Sequence, residues 1–156
     1  MPAPDNTVIM EGVRIIFRNF SGKEGQYNRE GDRNFAVLID EPTAEAMAAD
    51  GWNVKMLKPR DDDEEGSPPQ AYLPVAVNFR GRPPRIVLIT SRNRTNLNES
   101  QVETLDWVDI LNVDLIVRPY EWTVNGKSGI KAYLQSMYVT IEEDPLEAKY
   151  AELDHA

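Results

Sequence analysis

The sequence has no cysteine and a single histidine, His155, beside its C-terminal residue. Without thiols there is no disulfide framework and no thiolate metal site. One terminal imidazole builds neither a histidine metal centre nor a nucleophile–base pair. G-x-S-x-G and P-loop motifs are also missing. No apolar run approaches the roughly 18 residues of a membrane span. The start, "MPAPDNTVIM", lacks the charged head and apolar stretch of a signal peptide. Gly/Ser tracts and internal repeats are absent, so nothing divides the 156 residues into two bodies. These absences predict one binding domain that is not an enzyme, needs no cofactor or metal, touches no membrane and works in the cytoplasm.

The net charge is −9, which at first opposes a nucleic-acid partner. Its distribution reverses that reading. The run "DDDEE" at 61–65 holds five acids, and the segment 142–156 holds six acids with one lysine. Setting both aside leaves 15 acids and 16 bases, a body of charge +1. Eleven of the 17 cations are arginine, the residue suited to phosphate forks and ring stacking. The acidic run itself is a poor metal loop. Asp61, Asp63, Glu65 and Gly66 match the early calcium-loop spacing, but the twelfth position is Tyr72, and Pro68 and Pro69 interrupt it. It reads as a solvated loop.

Period-two alternation marks "VRIIFRNF" (13–20) as a strand with its cations on one face. "SGKEGQYNREGD" (21–32) is a long hairpin loop and "RNFAVLID" (33–40) the returning strand. "PTAEAMAADG" opens on proline and closes on glycine, the signature of a short helix. Further strands are expected at 52–57, 72–79 and 86–91, separated by the acidic loop and the basic turn "RGRPPR" (80–85). At "LNESQV", Asn98 and Gln101 form a capping box flanked by Leu97 and Val102, so a second helix is expected to begin there. Strands at 109–124 and 130–141 close the body around the turn "NGKSG". About seven strands with two or three short helices predict a mainly-β fold. The leading architecture is a small antiparallel OB-like barrel with an acidic C-terminal tail or helix. The division is a domain over 1–141 and a tail over 142–156.

Single-stranded nucleic acid needs cations for its phosphates and flat side chains for its unpaired bases. Three segments mix the two. The first holds Arg14, Arg18, Phe20, Lys23, Tyr27, Arg29 and Arg33; the second holds Trp52 and Lys55, then Arg80 and Arg82. In the last hairpin Arg118, Tyr120 and Trp122 share a face, as do Lys131 and Tyr133 on the partner strand. Whether those two faces coincide depends on the turn. A symmetric five-residue loop sets Trp122 beside Ala132, and a bulge sets it beside Lys131 or Tyr133. Taken singly, each ring fits a core and each arginine a solvated surface. The repeated mixture is what points to DNA.

The tail carries a second pattern. Asp144 can cap, Pro145 fits the first helical position, and Leu146, Tyr150 and Leu153 form an apolar stripe. Docked on the barrel it is structural; detached, its charge competes for the cationic surface and its stripe meets a replication or recombination partner.

The segments "RIIFRNF", "GQYNREGDRNFAVLID", "GWNVK" and "RPYEWTVNGKSGIKAYLQSMYVTIEED" resemble the single-stranded DNA-binding proteins of tailed bacteriophages. The resemblance spans most of residues 10–150. It implies an OB fold, sequence-independent binding of single-stranded DNA in phage replication or recombination, and an acidic C-terminus that contacts partner proteins in the host bacterial cytoplasm. The ending "AELDHA" departs from related tails, which often finish on an aromatic. An alternative reading is an acidic interaction protein or DNA mimic that binds no DNA. A carboxylate-metal nuclease lacks a spaced Asp/Glu set on the strands.

Overall fold

Alternating apolar residues place most of the strands, and glycine, proline and Asn–Gly place the breaks between them. The computed structural model describes residues 7–25, 29–57, 70–91 and 93–142. Tyr27, the acidic run at 61–65 and the tail residues Leu146, Tyr150 and Leu153 lie outside them. In chain order the elements are β1 (Val8–Val13), β2 (Ile15–Asn19), β3 (Arg33–Ile39), α1 (Glu41–Asp50), β4 (Lys55–Met56), β5 (Ala71–Val77), β6 (Arg85–Ile89), β7 (Arg94–Leu97), a 3-10 turn (Val102–Asp106), β8 (Ile110–Val124) and β9 (Lys127–Ile141). The fold is mainly β, with one α-helix among the described residues. β1 and β7 add to the strands legible in the sequence. No helix among the described residues is long and apolar enough to cross a membrane.

The helix α1 forms as its ends dictate. Asp40 caps it by accepting a bond from the Thr43 amide at 2.8 Å, Pro42 sits in the first turn, and Gly51 ends it at φ 100°. The second expected helix stops short. Its capping box is made: Asn98 Oδ1 accepts from the Gln101 amide, and the Asn98 amide donates to Gln101 Oε1. But the carbonyls of Leu105 and Val108 accept from the Arg18 guanidinium, and the Asp106 carboxylate accepts from the amides of Phe20 and Ser21. Those bonds tie the segment to the end of β2, and it stays a single 3-10 turn.

The sheet follows the order β1-β8-β9-β5-β3-β2. It is mixed rather than antiparallel, because β5 and β6 both run parallel to β9 along its free edge. "RGRPPR" is therefore not a reversal. From Ala76 to Arg85 the chain makes an excursion while β9 advances only from Tyr133 to Ser136, then resumes the same direction. β1 and β2 do not pair with each other in the hydrogen-bonded path, yet they are one stretch bent at Arg14. Its first half pairs with β8 and its second with β3. The inner face collects Phe35, Val37, Leu73, Val75, Leu115, Val117, Leu134 and Met137 into one core, with Phe20 stacked on Phe35 at 5.2 Å. Burying side chains of this kind contributes about 1.5–3 kcal/mol each.

Candidate nucleic-acid interface

The turn decides the hairpin's register. Asn125 and Gly126 both have positive φ, 52° and 79°, the two-residue geometry that Asn–Gly favours. Val124 therefore faces Lys127, and neither register left open by the sequence is adopted. Trp122 faces Gly129, Tyr120 faces Lys131 and Arg118 faces Tyr133. Cross-strand partners share a face, so all three ring-bearing residues and both cations stand together. The Tyr120 and Tyr133 rings meet edge to face at 5.7 Å. Arg118 and Lys131 lie 5.9 and 5.2 Å from the Tyr133 ring centre. Trp122 lies flat because its partner has no side chain: a methyl on Gly129 would stand 2.8 Å from the indole.

This face continues across the outside of the sheet as an open groove of about 1420 Å³. Its floor is small and flat: Asn34 and Ala36 of β3 beside Ala76 and Pro74 of β5. Pro74 is tolerated inside the sheet because β5 there lies between its pairing with β4, at Tyr72, and with β9, at Val75. Phe17 and Tyr72 stand at one side, edge to face at 5.5 Å, with Trp122 and Tyr133 also in the lining. Arg33, Lys55, Arg80 and Lys131 border it, against Glu30, Asp32 and Glu99. A smaller hollow of about 320 Å³ shares Asn78 and Tyr133 with the groove and adds Arg82, Arg118, Pro119 and Tyr120, with no acid among the described residues of its lining.

Lys55, Arg80, Arg82, Arg118, Tyr120, Trp122, Lys131 and Tyr133 are thus brought together from segments distant in sequence. Arg33 lines the same groove but is already engaged. It bonds the Phe20 carbonyl at 3.0 Å, pairs with Glu99 at 3.1 Å and lies over Phe79. Other expected residues stand elsewhere. Phe20 is fully buried and Trp52 nearly so, and both belong to the core. The Arg18 guanidinium is committed to the two carbonyls already named, at 2.9 and 2.8 Å. Arg14, at the bend, and Arg29, in the loop, are exposed and outside the groove lining. Lys23 lies over the Trp107 ring, again away from the lining.

Phe17 was missed by the alternation, which places it inward with Val13 and Ile15. Its φ is 53°, left-handed for an L-residue, and the register of β2 against β3 shifts between Ile16 and Asn19. The ring swings out to 59% exposure while Phe20 takes the inward position. A non-glycine residue held at such a φ costs on the order of 1–3 kcal/mol and marks functional sites more often than chance. Tyr72 was missed for a simpler reason: it was read only as the first residue of the strand expected at 72–79.

A long open groove with rings along it and cations beside it suits a flexible polyanion with flat units, which defines a binding protein for single strands. The chain belongs to the family described as "Putative phage ssDNA-binding domain", whose profile matches residues 3–156. The fold is similar to that of the single-stranded DNA-binding protein of bacteriophage Enc34. The C-terminally truncated form of that protein aligns at TM-score 0.56 and 13% identity, over 91% of this chain and 89% of the other. The same protein in complex with ssDNA aligns at TM-score 0.55 and 12% identity, over 91% and 90%. No curated protein matches the chain.

Proposed function

We propose that this protein binds single-stranded DNA without regard to sequence, as a binding protein rather than an enzyme, in phage replication or recombination. Bases stack on Phe17, Tyr72, Tyr120, Trp122 and Tyr133. Phosphates follow Lys55, Arg80, Arg82, Arg118 and Lys131. The observation that carries this reading is the union of both halves of the hairpin face with the open groove across the sheet. The family and the Enc34 protein's complex with ssDNA support it. The bent first strand, pairing at both ends of the path, is the connectivity of an OB-like barrel and supports that finer reading of the fold. The acidic segment beyond residue 141 serves in this scheme as a tail for replication or recombination proteins, a reading that rests on its sequence alone.

A fluorescence titration with single- and double-stranded oligonucleotides at several salt concentrations tests the proposal. Affinity is expected to favour the single strand and to fall as salt rises. Equal affinity for both forms, or none for either, refutes it.

A further inference from the structure

Outside the groove and its smaller neighbour, one more large exposed ring stands among the described residues. Trp107 is 62% exposed, immediately after the 3-10 turn. Exposure alone carries no meaning, but its setting does. The flanking carbonyls of Leu105 and Val108 both accept from the Arg18 guanidinium, and the adjoining Asp106 carboxylate holds the Phe20 and Ser21 amides at 2.7 and 3.1 Å. The residues on either side, Leu105, Asp106 and Val108, are thus anchored to the end of β2, while Trp107 between them is exposed. Lys23 sits 5.7 Å from its ring centre. The main chain of that lysine is also pinned, since Asn19 accepts from its amide at 2.9 Å and donates to its carbonyl at 3.0 Å.

A ring and a cation held on a stiff frame are the two groups that one nucleotide requires, a stacking surface and a phosphate partner. The position is tied to the groove: Arg33, in its lining, donates to the Phe20 carbonyl, and the Phe20 amide donates to Asp106, the residue before Trp107. We propose that Trp107 and Lys23 form a second nucleotide station, beyond the Arg33 end of the groove, engaged when the bound strand is long enough to reach it. This rests on the single-strand reading above and extends it.

The test compares Trp107→Ala and Lys23→Glu with the unaltered protein on oligothymidylates of about 6 and about 20 nucleotides. Each substitution is expected to weaken the long oligomer about five- to tenfold and leave the short one unchanged. In a Trp122→Phe background, whose other tryptophan is the buried Trp52, the long oligomer should still quench fluorescence. Unchanged affinity for both lengths, with no quenching in that background, overturns the station and leaves the groove reading intact, whatever protein Trp107 then binds. Equal loss on both lengths places Trp107 in the primary site and overturns the extension. If the unaltered protein binds neither oligomer, the parent reading falls as well.

Discussion

The two halves of the β8–β9 hairpin are made from the same strands with the same alternation, yet one is core and the other an open platform. At the base, Val113, Leu115 and Val117 meet Leu134, Met137 and Val139, all buried. At the tip, Tyr120, Trp122 and Val124 are exposed. The two sets stand on opposite faces of the ladder by period two, and the tip also loses the strands that flank β9. β6 covers Ser136 to Thr140 and β5 reaches Ala132 and Tyr133; beyond them, among the described residues, only the bridge from Trp52 to Ile130 touches the edge. Where neighbouring strands end, the core-side phase is exposed as well, at Glu121 and Thr123, and the ring-bearing face becomes an open surface. A ring's role is set by what covers it, not by its own chemistry.

Substitutions can break that comparison from either side. Met137→Ala or Leu134→Ala in the base should destabilise the fold by about 2–5 kcal/mol in urea unfolding, because a cavity remains. DNA affinity per folded molecule should stay as it was. At the tip the effects should invert: Tyr133→Ala or Trp122→Ala is expected to cost about 1–3 kcal/mol of binding, and Trp122→Ala little stability. Gly129→Ala sharpens the point, since the added methyl must displace the Trp122 indole, a side-chain end rather than backbone. Affinity should drop while the unfolding midpoint barely moves; a large loss of stability would show the indole to be a structural clamp.

Smaller effects separate the arginines. Arg18→Met leaves the Leu105 and Val108 carbonyls without their donor, so about 1–3 kcal/mol of stability should go, with the salt dependence of binding unaltered. Arg118→Ala should do the reverse, lowering the slope of log affinity against log salt by about 0.7 at nearly constant stability. Identical behaviour of the two variants would erase the distinction between clamp and phosphate contact. The smallest effect belongs to Asp40. The bonds from Thr43 hold its carboxyl below its ordinary pKa. A depressed folded pKa gives stability that is full above the unfolded pKa and is lost as pH falls through the folded one. The melting-temperature gap between the unaltered protein and Asp40→Ala should be constant above about pH 5 and narrow toward about pH 3.

Parts of the interface were legible because strand periodicity is local. Arg118, Tyr120 and Trp122 had to share one face, as did Lys131 and Tyr133, whatever the fold. That the two faces coincide followed from Asn125–Gly126 making a two-residue turn, a signal present in the sequence but read as a five-residue loop. Arg18 was illegible as a clamp because its acceptors lie some ninety positions away in the chain. Phe17 and Phe20 exchanged their expected roles because a left-handed residue breaks the alternation on which the assignment depended.

By itself the sequence determined the elements: alternating faces, the capped helix, the Asn–Gly turn, and the gathering of acids into two segments. Those depend on contacts within a few residues. Only the tertiary structure decided which rings meet water and which cations remain at the groove. That outcome depends on where neighbouring strands end and which distant carbonyls need a donor, and no local pattern carries that information.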